Sequence, residues 1–157
     1  MRTHSGDMRV TFPRLPDHER AWALVERDDG VVYRLYGGTA GPRLPYDIMH
    51  LVVERELRIK DGIWAGIAAG ATADPPDPRA ELLTDLVSSA AALDTLTQEK
   101  IRRLAAAKLS ALPSADRLRT QVDPVVIAVA ARALQVEAAR WARLRVGEEL
   151  TYDWPGK

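Results

Sequence analysis

The sequence predicts an α+β fold, in which a small antiparallel sheet packs against a layer of about four to five helices. Near both ends of the chain, apolar residues alternate with polar ones, as in strands with one buried face. Between these ends, apolar residues recur every three or four positions, as in amphipathic helices. The 157 residues suit one domain, and 46% hydrophobic residues suit a folded protein. We predict a mobile extension over residues 1–7 and a single domain over residues 8–157.

The N-terminal part predicts a three-stranded meander from about residue 8 to residue 37. The first strand, "MRVTFPRL", begins at Met8, which leaves His4 in the extension. The next two, "RAWALVER" and "VVYRLY", flank "DDG", a sequence typical of a hairpin turn whose glycine adopts positive φ.

The closing segment "GEELTYDWP" predicts one more strand. Leu150, Tyr152 and Trp154 fall on one face of it, and Thr151 and Asp153 on the other. Because a lone strand is not stable, we expect this strand to join the N-terminal sheet and to tie the chain ends together.

The first predicted helix runs from Tyr46 or Asp47 to Lys60, and Gly62 supplies its stop. The apolar segment "IWAGIAAGA" follows and predicts one or two helical turns. The prolines of "DPPDP" at positions 74–78 then break the helical pattern.

Three further helices are predicted after this break. The first two cover about residues 79–93 and 97–111, separated by the "LDTLT" interruption. The last opens at Asp123, a good N-cap, with Pro124 at its first position, and runs to about Val146. It is rich in alanine, which allows close helix packing, and we expect it to be the central helix. Its polar members fall roughly on one side: Arg132, Gln135, Arg140 and Arg143.

One candidate site lies on the first helix. At 100° per residue, Asp47, His50, Glu54 and Arg58 share a single stripe on an otherwise apolar helix. His50 and Glu54 lie one turn apart and could bind one divalent ion. Asp47 would be another ligand or the carboxylate that orients the imidazole, in a metal or an acid–base site.

The alternative interpretation is an intrahelical polar network. Asp47 would pair with His50, His50 with Glu54, and Glu54 with Arg58, at spacings that stabilise helices. A metal site needs further ligands. The sequence lacks the HExxH pattern and selects none of the other carboxylates, such as Glu19, Glu56 and Asp61. We favour the structural interpretation.

Trp64 lies in the glycine-rich "DGIWAGIAAGA". A tryptophan there could stack on a ligand, but packing in a core or an interface is the more common role.

Charge is balanced overall but not along the chain. Residues 97–147 carry 10 Lys or Arg and 4 Asp or Glu, a net charge of about +6. Binding of nucleic acid through these basic helices is one alternative function. Because basic helices are more often solvated and paired with acidic neighbours, we do not expect nucleic acid to be the partner.

Composition excludes several classes of protein. The chain has no cysteine, which rules out disulfides, thiolate metal sites and a cysteine nucleophile. It has no apolar run typical of a signal peptide or a membrane helix, and we expect a cytoplasmic protein with no membrane contact. Neither a Walker loop nor a dinucleotide-binding fingerprint is present.

The motif "GEELTYDW" resembles the carboxy-terminal signature of SET-domain lysine methyltransferases, where the tyrosine helps shape the active site. That family also needs an Asn-His pair for its methyl donor, and this sequence contains no asparagine. Long helices occupy positions where a SET domain has mainly strands. We therefore interpret the motif as an edge strand after a turn.

A longer resemblance rests on the pattern D-x-x-H-x-x-V-E followed by D-G-[FIW]-W. Its residues here are Asp47, His50, Val53, Glu54, Asp61, Gly62 and Trp64. With the strand-rich start and the closing "LTYDWP", the chain is similar to a group of small, uncharacterised bacterial proteins. This resemblance implies a shared fold and no known activity.

The sequence predicts a non-enzymatic binding module that associates with a protein partner or with a copy of itself, through an apolar helical or Trp-bearing surface. The main support is that no complete catalytic constellation is present. The alternatives are a metal-dependent or acid–base enzyme centred on Asp47, His50 and Glu54, and a nucleic-acid-binding protein.

Overall fold

The computed structural model describes residues 6–70, 77–114, 120 and 122–155. Within these residues it contains a four-stranded antiparallel sheet and five helices. The predicted α+β fold, with a small sheet and a helical layer, is confirmed.

The sheet consists of β1 (Met8–Pro13), β2 (Arg20–Arg27), β3 (Val32–Thr39) and β4 (Glu149–Trp154), in the spatial order β3-β2-β1-β4. The predicted meander is confirmed, and Gly30 in its first hairpin has φ of 90°. The C-terminal strand pairs with β1, as predicted, and is an edge strand.

The pairing of β1 with β4 brings the first and the last strand together at the core. Opposite residues in this pair include Val10 and Tyr152, and Phe12 and Leu150, and all four are buried. Because side chains alternate between the faces of a sheet, the other face carries polar residues, such as the hydrogen-bonded Thr11 and Thr151.

The helices are α1 (Tyr46–Leu57), α2 (Ile63–Ala68), α3 (Pro78–Ala91), α4 (Gln98–Leu109) and α5 (Pro124–Arg143). Three begin at capping side chains. Asp77 accepts from the Arg79 amide, Thr97 from the Lys100 amide and Asp123 from the Val125 amide. The Asp123 cap was predicted from the sequence.

Helix α1 ends earlier than predicted, at Leu57 instead of Lys60. Arg58 adopts a left-handed conformation with φ of 53°, and the next amide, of Ile59, donates to the Glu54 carbonyl. Gly62 does not stop this helix. It has φ of −90° and precedes the first residue of α2. Helix α5 also ends early, at Arg143 instead of Val146, because Leu144 is extended.

One core joins the sheet and the helices. It includes residues of β1, β2 and β4 together with residues of each of the five helices. Helix α5 packs against α1, α3 and α4, which confirms its predicted central position. None of the described helices is long and apolar enough to cross a membrane.

Two of the sequence predictions concern residues outside the described ranges. These are most of the N-terminal extension, with His4, and positions 74–76 of the "DPPDP" break. At the end of the predicted extension, the Asp7 carbonyl accepts a hydrogen bond from the Asp28 amide.

Candidate functional site

Helix α1 carries the predicted polar stripe, and the structure brings two of its four members together. His50 and Glu54 are both 0% exposed, and His50 Nδ1 lies 3.5 Å from Glu54 Oε2. Asp47 and Arg58 point to other surroundings, described below. The centre of the stripe, His50 and Glu54, is therefore buried between helices and does not face the solvent.

Glu54 binds the N-terminus of the neighbouring helix α2. Its carboxylate accepts hydrogen bonds from the backbone amides of Ile63, Trp64 and Ala65, with N–O distances of 3.0, 2.9 and 3.3 Å. These are the amides that a helix leaves without an internal partner, and the helix dipole adds to the attraction. Glu54 thus caps a helix from outside it.

Gly62 is required by this arrangement. A Cβ atom at Gly62 would lie 2.2 Å from the Glu54 carboxyl carbon, which is far inside van der Waals contact. The D-G-x-W segment therefore provides the room that the carboxylate occupies, in addition to the amides that bind it.

His50 lies between two carboxylates on different helices. Its Nδ1 faces Glu54 Oε2 and, at 3.4 Å, the hydroxyl of Thr84, which donates to the Ala80 carbonyl. Its Nε2 lies 3.5 Å from Glu81 Oε2 and makes no hydrogen bond with the described residues. The Tyr46 ring packs edge-on against the imidazole, with the centroids 4.3 Å apart.

Glu81 and Thr84 were missed by sequence reasoning. Both lie on α3, about 30 positions after His50, and only helix packing brings them to α1. The carboxylates considered from sequence lie elsewhere. Glu19 and Glu56 are exposed, and Asp61 forms an ion pair with Arg79 at 2.8 Å.

The Tyr46 hydroxyl donates to Glu81 Oε1, at the solvent side of His50. Burial and this hydrogen bond raise the pKa of Tyr46 above its usual value, so the hydroxyl stays protonated as a donor at neutral pH. Glu81 Oε1 is therefore occupied by a neutral donor, whereas its Oε2 faces the imidazole.

Asp47 lies apart from Glu54, beside β3. A Cβ atom at Gly37 would lie 2.6 Å from Asp47 Oδ2, so a strand glycine makes room for this carboxylate as well. Burial raises the pKa of Asp47, and the nearby His50 partly offsets this effect. The Asp47 carbonyl accepts from Trp64 Nε1 at 2.9 Å.

Arg58 does not pair with Glu54, which corrects that part of the predicted network. Arg58 follows the last residue of α1 in a left-handed conformation, and it is exposed. Since α1 ends before it, the i,i+4 geometry that would bring the two side chains together is absent. The hydrogen-bond partners of the Glu54 carboxylate are the backbone amides at the start of α2 instead of the Arg58 side chain.

Trp64 is part of the core. It is 0% exposed, and its ring meets Phe12 edge-to-face with the centroids 5.9 Å apart. Its indole N–H is satisfied by the Asp47 carbonyl, so the core role predicted from sequence is confirmed.

Metal binding by His50 and Glu54 stays a prediction. Among residues 6–70, 77–114, 120 and 122–155, no group of three or more His, Asp or Glu side chains is arranged to hold an ion. Both oxygens of Glu54 already accept amide hydrogens, so a metal would have to compete with the N-terminus of α2.

The tyrosine of "GEELTYDW" also has a structural role. The Tyr152 hydroxyl donates to Glu137 Oε2 at 2.7 Å, and Arg140 Nη1 lies 2.9 Å from both oxygens of the same carboxylate. Desolvation and the bond to Glu137 raise the pKa of Tyr152. This contact joins β4 to α5.

A second candidate region is the outer face of α5. Four valines there are between 42% and 57% exposed: Val125, Val126, Val129 and Val136. We call these four residues the valine face. Arg132 and Arg143 lie beside them, are exposed and form no ion pair with the described residues.

The predicted basic segment is partly neutralised by ion pairs. On α4, Arg103 pairs with Glu99 at 2.6 Å and Lys108 pairs with Asp85 at 2.5 Å. On α5, Arg140 pairs with Glu137. The two arginines of α5 that form no ion pair with the described residues, Arg132 and Arg143, therefore lie next to the valine face.

In comparisons with known proteins, no family model, no curated protein and no solved structure matches this chain.

Proposed function

We propose that the protein is a non-enzymatic, cytoplasmic binding module, and that it binds a protein partner through the valine face of α5. The observation that carries this proposal is the exposure of four valines on one helix. Val125, Val129 and Val136 fall within about 40° of one another around the helix, so they lie along one side of it, with Arg132 at nearly the same angle between Val129 and Val136.

Folding does not account for these valines. A β-branched residue at an exposed helix position costs about 0.5 kcal/mol relative to alanine, and here the side chain gains little burial in return. Contiguous exposed apolar residues are typical of interaction sites. The composition of this face is therefore explained by a partner that covers it.

The arginines indicate the chemistry of the partner. Arg132 and Arg143 would be partly desolvated when the valine face is covered, and each would then need a carboxylate. A partner with acidic residues around an apolar stripe meets both needs. An acidic amphipathic helix lying along α5 is the simplest such partner.

A second copy of the chain fits this face less well. In a symmetric dimer the same face packs on itself. Val125 and Arg143 lie five turns apart on the same side of α5, about 27 Å along its axis. If two copies of α5 packed antiparallel, Arg143 of one copy would be buried against the valines of the other. The two copies of Arg132, which carry the same charge, would lie close together.

The burial of His50 and Glu54 supports a binding module over an acid–base enzyme. Both side chains are 0% exposed, and the carboxylate binds three amides, so neither is open to a substrate. The pairing of Arg103 and Lys108 supports a protein partner over nucleic acid.

The test uses two synthetic helical peptides with the same leucine stripe, one flanked by glutamates and one by lysines. Fluorescence anisotropy with the full chain should show saturable binding of the glutamate peptide, and binding of the lysine peptide weaker by about tenfold or more. The double substitution Val129→Ser and Val136→Ser should weaken binding of the glutamate peptide. Val146→Ser, at an equally exposed valine beyond the end of α5, is the matched control.

Equal binding of both peptides, or unchanged binding by the double variant, would contradict the proposal. Light scattering adds a further outcome. A dimer that dissociates in the double variant would replace the partner with a second copy. Binding of duplex DNA that falls steeply with salt would replace it with nucleic acid.

A further inference from the structure

The edge of the sheet formed by β3 is open, since among the described residues only β2 lies beside β3. The Arg27 amide donates to the Val31 carbonyl, just before β3, whereas the next amide, of Asp28, donates to the Asp7 carbonyl on the β1 side. Because this direction alternates along a strand, odd-numbered residues of β2 bond to β3 and even-numbered ones bond to β1. The residues of β3 whose N–H and C=O groups point to the open edge are Val32, Arg34 and Tyr36.

The two edges of the sheet differ in how they are protected. Strand edges in proteins are usually blocked by charges, by proline or by neighbouring side chains. The strand β4 carries Asp153, whose carbonyl accepts from Arg55 Nη1 at 3.4 Å, and Pro155 follows it. The longer strand β3 has one charged residue, Arg34. A further strand can therefore pair with β3 more readily than with β4.

Side chains on both faces of β3 would gain burial from a further strand. On the outer face, away from the helices, Val32 is 57% exposed and Tyr36 is 48% exposed. On the inner face, Tyr33 and Leu35 pack against the core but stay partly exposed. Because side chains of neighbouring strands cover one another, a fifth strand would shield all four from water.

Two arginines on the outer face determine the charge of such a strand. Arg34 Cζ lies 4.2 Å from the centroid of the Trp22 ring, and Arg20 Cζ lies 4.6 Å from that of the Tyr36 ring. This stacking holds both guanidinium groups beside the open edge. Both arginines are exposed, and neither forms an ion pair with another described residue. Carboxylates on the outer face of a fifth strand would complement them.

We propose that the edge of β3 binds an extended acidic segment of a partner protein as a fifth, antiparallel strand. The backbone of this segment pairs with the three edge-facing residues, and its carboxylates lie beside Arg34 and Arg20. Its apolar side chains alternate with the carboxylates and cover Tyr33 and Leu35. This surface shares no residue with the valine face and is a second interaction site.

Other occupants fit this edge less well. When residues 32–36 of two copies pair completely with each other, the two Arg34 side chains lie directly opposite, where like charges repel. Single-stranded nucleic acid could stack on the aromatic and arginine side chains, but it would leave the backbone groups of the edge unpaired.

The test measures binding of labelled peptides to the full chain by fluorescence anisotropy. A peptide that alternates glutamate with valine should show saturable binding, and one that alternates lysine with valine should bind about tenfold or more weakly. NMR should show slower hydrogen exchange in the complex for the amides of Val32, Arg34 and Tyr36. The amides of Tyr33 and Leu35, which already bond to β2, should change little.

Two methylated peptides test strand addition itself. Hydrogen-bonded residues of an antiparallel pair share a face of the sheet, so the N–H groups of the glutamates point to β3 and those of the valines point to solvent. N-methylation of the glutamates should weaken binding by about tenfold or more, whereas N-methylation of the valines should leave the affinity unchanged. These peptides are used with the unaltered chain, so the result does not depend on the folding of a variant.

Two variants test the charge. Arg34→Glu should reverse the preference, so that the lysine peptide binds more tightly than the glutamate peptide. Arg102→Glu, at an exposed arginine on α4, should preserve the preference for glutamate. The proposal is overturned by the absence of saturable binding of the glutamate peptide, by equal effects of the two methylations, or by an unchanged preference in Arg34→Glu. A dimer that excludes the peptide would replace it with a second copy, and binding of oligothymidine in place of the peptide would replace it with single-stranded nucleic acid.

Discussion

The carboxylate of Glu54 is buried in the core, and the chain surrounds it with hydrogen-bond donors. A buried carboxylate without partners is costly, but three backbone amides and the dipole of α2 offset that cost. Gly62 leaves the space, and His50 lies on the other side. Through these contacts His50 and Glu54, the two buried residues of the candidate site, link α1 to α2 and α3.

Removing the Glu54 carboxylate should destabilise the fold strongly. Glu54→Ala leaves three amides at the start of α2 without their acceptor, that of Trp64 buried and those of Ile63 and Ala65 partly buried, and we expect a loss of about 3–5 kcal/mol in the free energy of unfolding. Urea denaturation followed by circular dichroism measures this loss. Glu56→Ala, two residues along α1 and exposed, should stay within about 0.5 kcal/mol of the unaltered chain. Equal effects of the two substitutions would refute the role assigned to Glu54.

Asp47 should destabilise the fold at neutral pH. Burial raises its pKa in the folded state, so folding favours the protonated form. The stabilising contribution of this group is therefore complete below its unfolded pKa, about 3.9, and it is lost as the pH rises through the raised folded value. Asp47→Asn keeps the shape without the charge, and it should stabilise the protein relative to the unaltered chain more at pH 7 than at pH 3. Thermal unfolding at several pH values measures this difference, and a gain independent of pH would count against the explanation.

At the scale of elements, helix starts were predictable and helix ends were not. The start of α5 depends on Asp123 and Pro124, whose effect is local. The end of α1 depends on Arg58, which takes a left-handed conformation although arginine has no local preference for it. Tertiary packing sets the turn of the chain at Arg58, after which the first amides of α2 lie against the Glu54 carboxylate.

The valine face of α5 should contribute nothing to folding. Replacing Val129 and Val136 together with alanine should leave stability unchanged or raise it by up to about 1 kcal/mol, because alanine is the better helix former. Leu134→Ala, on the buried side of the same helix, should instead cost about 2–5 kcal/mol. Denaturation curves of the two variants provide the measurement. A large loss from the valine substitutions would mean that this face packs within the chain.

At the scale of the whole molecule, β1 and β4, the first and the last strand, pair with each other, and one core connects the sheet with the helices. We expect such a core to unfold as one unit, and the single domain over residues 8–157 stays a prediction. The separate elements would have no stability of their own, since a two-stranded pair is marginal in water.

Substitutions in distant elements should therefore shift one common transition. Leu150→Ala in β4 and Leu86→Ala in α3 each remove a buried side chain and should each cost about 2–5 kcal/mol. Tryptophan fluorescence and helical circular dichroism should give the same midpoint in both variants. Different midpoints for the two probes would show that the sheet and the helices unfold separately.

The sequence by itself determined the α+β class, the N-terminal meander, the C-terminal strand and the capped start of α5, and it favoured packing as the role of Trp64. These depend on periodicity and on local capping, which a single stretch of residues carries. The tertiary structure decided the partners of His50 and Glu54. Glu81 and Thr84 lie about 30 residues from His50, and the amides of α2 reach Glu54 only because α1 stops at Leu57. Hydrogen bonding acts over about 3 Å, whatever the separation along the chain, so the surroundings of a polar side chain are set by how the elements pack.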